Sequence, residues 1–166
     1  MLYFEDIFRG LEKAQIDYVV VGGLATVLHG VVRLTADLDL IVALNNENIS
    51  KFSKTITTLG YKPKAPVPAE QLGNPQKRQE WITEKNMIVF SFYHQTEHDK
   101  SIDVFVTEPI SFQELNKEKK IIKVDNFKIP ICSIKHLIQL KEKAGRPQDL
   151  ADIKALKKIR LHDEKK

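Results

Sequence analysis

At 166 residues the chain is long enough for one domain with a substantial core, spanning 1–166, and too short for two of ordinary size. Apolar residues make up 42% and charged residues 29%, a balance that excludes disordered, collagen-like and coiled-coil classes, and the net charge is +4. No stretch approaches the roughly 18 to 20 apolar residues of a membrane helix, and Met1 to Glu12 lacks the apolar centre of a signal peptide, so a soluble cytoplasmic protein without a membrane partner is expected.

Phe4, Ile7, Phe8, Leu11 and Ala14 recur at steps of three and four, the pattern of an amphipathic opening helix. Tyr18-Val19-Val20-Val21 is a β-branched run short enough for a buried strand, stopped by Gly22-Gly23. Leu24 to His29 predicts a short helix closed by Gly30, with His29 as a partner for the helix C-terminus. Leu38, Leu40 and Val42 alternate with Asp37, Asp39 and Ile41, which predicts a strand with one apolar and one acidic face. Asn45 or Asn46 caps a helix carrying Ile49, Phe52, Ile56 and Leu59 inward. Tyr61 to Pro75 holds four of the seven prolines and reads as a loop or irregular edge.

Met87 to Tyr93 and Ser101 to Val106 predict a hairpin across Gln95 to Lys100, whose His94 and His98 offer a weak zinc spacing. After a short helix near Phe112 to Lys119, Asp125-Asn126 predicts a second hairpin between 121–124 and 127–131. Cys132 follows in an apolar run as a small core residue. Ser133 caps the next helix, and Pro147 opens a last one with Leu150, Ile153 and Leu156 on its buried side, before a polar tail at 161–166. Helices and strands do not alternate strictly, so the expected fold class is mixed α/β (α+β), a small mixed β-sheet flanked by helices. Residues 117 to 166 hold 15 Lys and Arg against 7 Asp and Glu, which leaves −4 on the first 116 residues. That basic third suits a polyanion such as a nucleoside triphosphate or RNA, or else is a solvated helix face.

The residues that suggest chemistry begin at Gly22-Gly23, where the missing Cβ atoms let backbone N–H groups approach phosphate oxygens. Asp37 and Asp39, two apart on a strand, place two carboxylates on one face. Like charges so close disfavour one another unless a cation lies between them, and Mg²⁺ prefers such oxygen donors. Asp103 repeats the anomaly as a single acid within Ser101-Ile102-Asp103-Val104-Phe105-Val106. If the two strands are neighbours, the three acids converge on two metal ions.

Gly22-Gly23, the Asp37-x-Asp39 pair and the later Asp103 together resemble the nucleotidyltransferase superfamily built on the DNA polymerase β type of palm. The stretch Gly22 to Val42, with Arg33 and Thr35 before the acids, is similar to small bacterial members grouped with abortive-infection type toxins and with lincosamide and aminoglycoside nucleotidyltransferases. Leu137 to Ile153 resembles the K-x-x-A-x-R-x-x-D-x-x-D block that ends the core of those members, and the likeness covers about residues 16–156. The resemblance implies a nucleotidyltransferase fold and Mg²⁺-dependent transfer of a nucleoside monophosphate from a triphosphate to an acceptor hydroxyl. It implies Asp37, Asp39 and Asp103 as catalytic metal ligands for two Mg²⁺ ions. It implies Gly22, Gly23, Arg33, Thr35, Lys141, Arg146 and Asp149 as the nucleotide site, with Asp152 left as an ion-pair partner of Lys141 or Arg146. The acceptor stays open between RNA, a protein and a small molecule, as do a partner subunit or homo-oligomer and a toxin–antitoxin setting. A non-catalytic binding or antitoxin module of the same fold, and a nucleic-acid-binding protein using the basic third, are the alternatives.

Overall fold

The computed structural model describes residues 3–166; Met1 and Leu2 of the segment read above lie outside the described residues. Helix α1 (Glu5–Lys13) buries Ile7, Phe8 and Leu11 as its periodicity requires. Strand β1 (Tyr18–Val21) is buried along its whole length, and α2 (Gly22–Leu28) begins on the glycine pair itself, two residues before the expected start. Strand β2 (Asp37–Val42) sends Leu38 and Leu40 into the core while Asp37 and Asp39 occupy the other face. Helix α3 (Asn46–Thr58) is capped by the Asn45 side chain, which accepts from the Asn48 N–H. Asn48 is buried and fully used: its side chain bonds Asp17 N–H and the Asp17 and Ala43 carbonyls, tying β1 and β2 to α3.

The proline-rich stretch contains a short edge strand, β3 (Tyr61–Pro63), and a 3-10 turn at Ala69–Gly73. Helix α4 (Pro75–Lys85) follows, which the sequence pattern did not predict; Asn74 caps it and Trp81 is its buried residue. The predicted hairpins form as β4 (Val89–His94) with β5 (Ser101–Phe105), and β6 (Lys120–Val124) with β7 (Phe127–Ile131), separated by α5 (Phe112–Glu118). The chain closes with α6 (Ile134–Ala144), capped by Ser133, and α7 (Pro147–Glu164). Two expectations for the last helix fail. Leu150 is 59% exposed, because the buried side of α7 runs through Asp149, Asp152, Ile153 and Leu156 and Leu150 faces away from it, and the expected tail is helical to Glu164.

Among the described residues, seven strands form one mixed sheet in the order β3-β4-β5-β2-β1-β7-β6. The central β2 runs antiparallel to β1 and parallel to β5, so Asp39 lies opposite both Val21 and Asp103. Everything between β2 and β5 is a crossover that brings residues 64 apart into register, as the Asp37 and Asp103 strands required. Among the described residues, no helix is long and apolar enough to cross a membrane.

Candidate active site

The carboxylates project from the sheet beside the glycine turn, and a cavity of about 940 Å³ opens over them. Gly22, Gly23, Arg33, Thr35, Asp37, Asp39, Asp103, Lys141, Arg146 and Asp149 all line this cavity, while His29, His94, His98, Cys132 and Asp152 lie outside its lining, so the fold gathers the expected metal ligands and nucleotide-site residues. The strand order spreads them. Gly22 and Gly23 follow β1, Asp37 and Asp39 come from β2, and Asp103 from β5, with Val89 and Phe105 beyond.

Backbone geometry explains the first glycine. Gly22 has φ +69°, and a Cβ there would stand 2.9 Å from Asp39 Cγ. At Gly23 a Cβ would meet Thr35 Oγ1 at 2.6 Å and Arg33 Cζ at 3.4 Å. The loop before β2 is thus folded directly over the turn, and only hydrogen atoms fit beneath it.

Two serines that sequence reasoning passed over fix the outer acids. Ser101 Oγ donates to Asp37 Oδ1 at 2.6 Å, and Ser91 Oγ donates to Asp103 Oδ1 at 2.6 Å. Both are cross-strand partners of the acid they bind, Ser101 of Asp37 and Ser91 of Asp103, so the register alone could have found them. Asp39 sits between with no such donor, and its carboxyl is pushed up to about 6 by burial first and then by the charges of Asp103 and Asp37. Replacing Ser101 by Ala is expected to lower the turnover of any reaction using Asp37 by about tenfold, the usual scale for orienting partners, with little change in melting temperature. Steady-state rates and a melting curve check this.

The fit to a divalent cation rests on this donor set. All three acids offer hard carboxylate oxygens, and the half-buried Asp39 has neighbouring negative charges without a bonded positive one. Lys141 does not fill the space, because its ammonium is held 2.9 Å from Asp152. Among the described residues, no three His, Cys, Asp or Glu side chains are placed to hold a metal ion as they stand. Asp37 and Asp103 each give one oxygen to a serine instead.

The cations come from the other layer. Lys141 is 4% exposed on α6, and Arg146, between α6 and α7, bonds Asp149 through Nε at 2.8 Å. Asp149 also accepts the Arg146 N–H at 3.2 Å, bracing the start of α7. Burial would raise the Asp149 carboxyl, but its hydrogen bonds to Arg146 outweigh this and hold it below the usual range. Asp152 pairs with Lys141, as expected, and with Arg33 rather than Arg146.

The remaining candidates have structural roles. His29 Nε2 bonds the Cys132 carbonyl at 2.7 Å, and burial pushes its pKa down. Cys132 is buried, which pushes its thiol up to about 12. Both ring nitrogens of His94 are engaged, one with the Leu59 carbonyl at 3.0 Å and one with the Glu97 N–H at 2.9 Å, so it is not free to bind zinc with His98.

Neither a protein-family model nor a curated protein sequence matches the chain. Solved structures do match it. The lincosamide antibiotic adenylyltransferase LnuA, crystallised with lincomycin, aligns at TM-score 0.58 and 20% identity over 92% of this chain and 93% of its own. ANT(2")-Ia in complex with adenylyl-2"-tobramycin aligns at 0.59 and 12% identity over 95% and 91%. An antigenic nucleotidyltransferase-like protein from Paracoccidioides brasiliensis aligns at 0.56 and 16% over 90% and 71%. With matches that span nearly the whole chain and a sheet that brings a glycine turn beside three acids, this protein has the nucleotidyltransferase fold.

Proposed function

We propose that the cavity transfers a nucleoside monophosphate from a triphosphate to an acceptor hydroxyl, with Mg²⁺ held by Asp37, Asp39 and Asp103. The observation that carries this reading is the cross-strand alignment of Asp39 with Asp103, which sets two half-buried carboxylates side by side next to a turn that tolerates no Cβ. When bound, Mg²⁺ would supply charge neutralisation for the triphosphate and the attacking oxygen. The chain's own groups do the rest. The Gly22-Gly23 backbone lets phosphate oxygens approach, while Arg33, Lys141 and Arg146 balance their charge. Asp103, with Oδ1 held by Ser91, keeps Oδ2 for the acceptor hydroxyl and its proton. The acceptor oxygen bonds to the α-phosphorus, the bond from that phosphorus to the bridging oxygen of the β-phosphate breaks, and pyrophosphate leaves with the electron pair. Catalysis on this reading is positioning and electrostatic stabilisation, with no covalent enzyme intermediate.

The charge around the cavity also bears on the acceptor. Its cations, Arg33, Lys141 and Arg146, stand on the side of the glycine turn and the last two helices. The opposite side offers Asp103 with Ile88, Val89 and Phe105 and no cation, and Ile88 is 63% exposed at the rim. An acceptor seated there is favoured if it is neutral or cationic with an apolar face, and disfavoured if it brings its own phosphate chain.

The first test is thermal. ATP, GTP, CTP or UTP at a hundredfold excess over its dissociation constant, with Mg²⁺, is expected to stabilise the protein by about 2.7 kcal/mol, read as a rise in melting temperature. No shift with any of the four would point to a non-catalytic module of this fold. Labelled triphosphate, Mg²⁺ and cell extract then identify the acceptor by which species gains the label, with a tRNA transcript and a hydroxylated amine as defined trials. Label on RNA alone would overturn the acceptor reading.

A further inference from the structure

We propose that Asp152, which lines no part of the cavity, is the positioning residue that holds Arg33 and Lys141 together for the triphosphate; this rests on the nucleotidyl-transfer reading of the site. Asp152 is 2% exposed on α7, one turn beyond Asp149. Its Oδ2 receives both Arg33 Nη1 and Lys141 Nζ, the latter at 2.9 Å, and its Oδ1 receives Gln148 Nε2 at 3.0 Å. Arg33 belongs to the loop before β2, Lys141 to α6 and Asp152 to α7, so one carboxylate joins three separate elements. A buried carboxylate is costly unless it is matched by opposite charge and hydrogen bonds, and here both oxygens are engaged.

The arrangement is more than a buried ion pair. Two cations converge on one oxygen, which they would not do without the negative charge between them, and the trio keeps a surplus of one positive charge. Both cations line the cavity, and Arg33 stands over Gly23, at the turn where phosphates are expected. Without Asp152, Lys141 would keep only Asp149 at 3.8 Å, while the Arg33 side chain, 21% exposed, would lose its ion pair and be free to leave the turn. The residue therefore acts on the substrate through its two partners.

The sign of the effect separates this role from general electrostatics. Asp152→Asn removes one negative charge near the site, so long-range Coulomb attraction alone would tighten anion binding. Loss of positioning predicts the reverse. Calorimetric titration with the triphosphate that the native protein binds best, and with its nucleoside as control, reads the difference. D152N is expected to weaken triphosphate binding by at least tenfold, to leave nucleoside binding within twofold, and to raise the triphosphate KM more than it lowers kcat. Equal or tighter triphosphate binding by a folded D152N would overturn the proposal while leaving the nucleotidyl reading intact. Failure of the native protein to bind any triphosphate would overturn both. If D152N does not melt cooperatively, D152E decides, since it keeps the charge and displaces it by one methylene. Tenfold weaker triphosphate binding with unchanged nucleoside binding supports the positioning role, and native affinity refutes it.

Discussion

Asp39→Asn is expected to abolish transfer and to make the metal-free protein more stable at neutral pH. The substitution keeps shape and volume, so Leu38 and Leu40 stay in the core, but it removes the central charge of the acidic row. A loss of about 10³-fold or more in kcat corresponds to the several kcal/mol that a carboxylate holding a catalytic metal would supply. The stability change follows from linkage. The folded protein holds the Asp39 proton up to about pH 6, against an ordinary value of 3.8, because burial and the neighbouring Asp103 and Asp37 disfavour its charge. Stability from this group is therefore fully present below about pH 4 and is lost as pH rises through about 6. The full shift corresponds to about 3 kcal/mol, and partial solvent access reduces the expected gain of Asp39→Asn to about 1–2 kcal/mol. In EDTA at pH 7.5 the variant should melt about 3–6 °C higher than the native protein, and the gap should close near pH 4. Asp37→Asn should abolish transfer likewise. Retained transfer in both variants would defeat the assignment of the acids.

Gly22→Ala is expected to cost about 2 kcal/mol of stability and about 10²-fold or more in transfer. Two causes add. At φ +69° an L side chain carries a conformational cost of about 1 kcal/mol or more, and the new methyl would stand 2.9 Å from Asp39 Cγ, so the carboxylate must turn away from its place. Gly145→Ala separates these causes. Gly145 has φ +64°, but a Cβ there meets nothing nearer than the Glu142 carbonyl at 3.7 Å. It should show the backbone cost alone. Chemical denaturation of both variants checks the difference, and an equal loss would remove the close packing of Gly22 on Asp39 as an explanation.

The acids were legible because an aspartate within an apolar strand is an anomaly that composition does not excuse, and Asp37, Asp39 and Asp103 are three of them. The glycine turn was legible from its place between a strand and a helix, and the Lys141 to Asp149 block through its resemblance to the closing motif of a known family. Ser91 and Ser101 were not, because a serine in a strand is ordinary and its meaning depends on which acid lies across the ladder. The pairing of β2 with β5 is a contact over more than 60 residues, set by the packing of everything between, and no local pattern encodes it. Helix α4 escaped notice because Trp81 is its one buried residue, so it has no apolar stripe to detect. Helix α2 was expected to start late, since glycine is a poor helix former and tertiary contact overrides that preference here.

The acids stand on strands, whereas Lys141 and Arg146 come from the helical layer formed by the last third of the chain. On the nucleotidyl-transfer reading, substitutions along α6 and the opening of α7 would change how the phosphates are held while leaving the acids of the sheet in place. Two of the three cations proposed to hold the donor would then be adjustable independently of the strands that carry the acids, and laboratory selection for a new donor is expected to find successes after residue 133 as well as in the loop around Arg33.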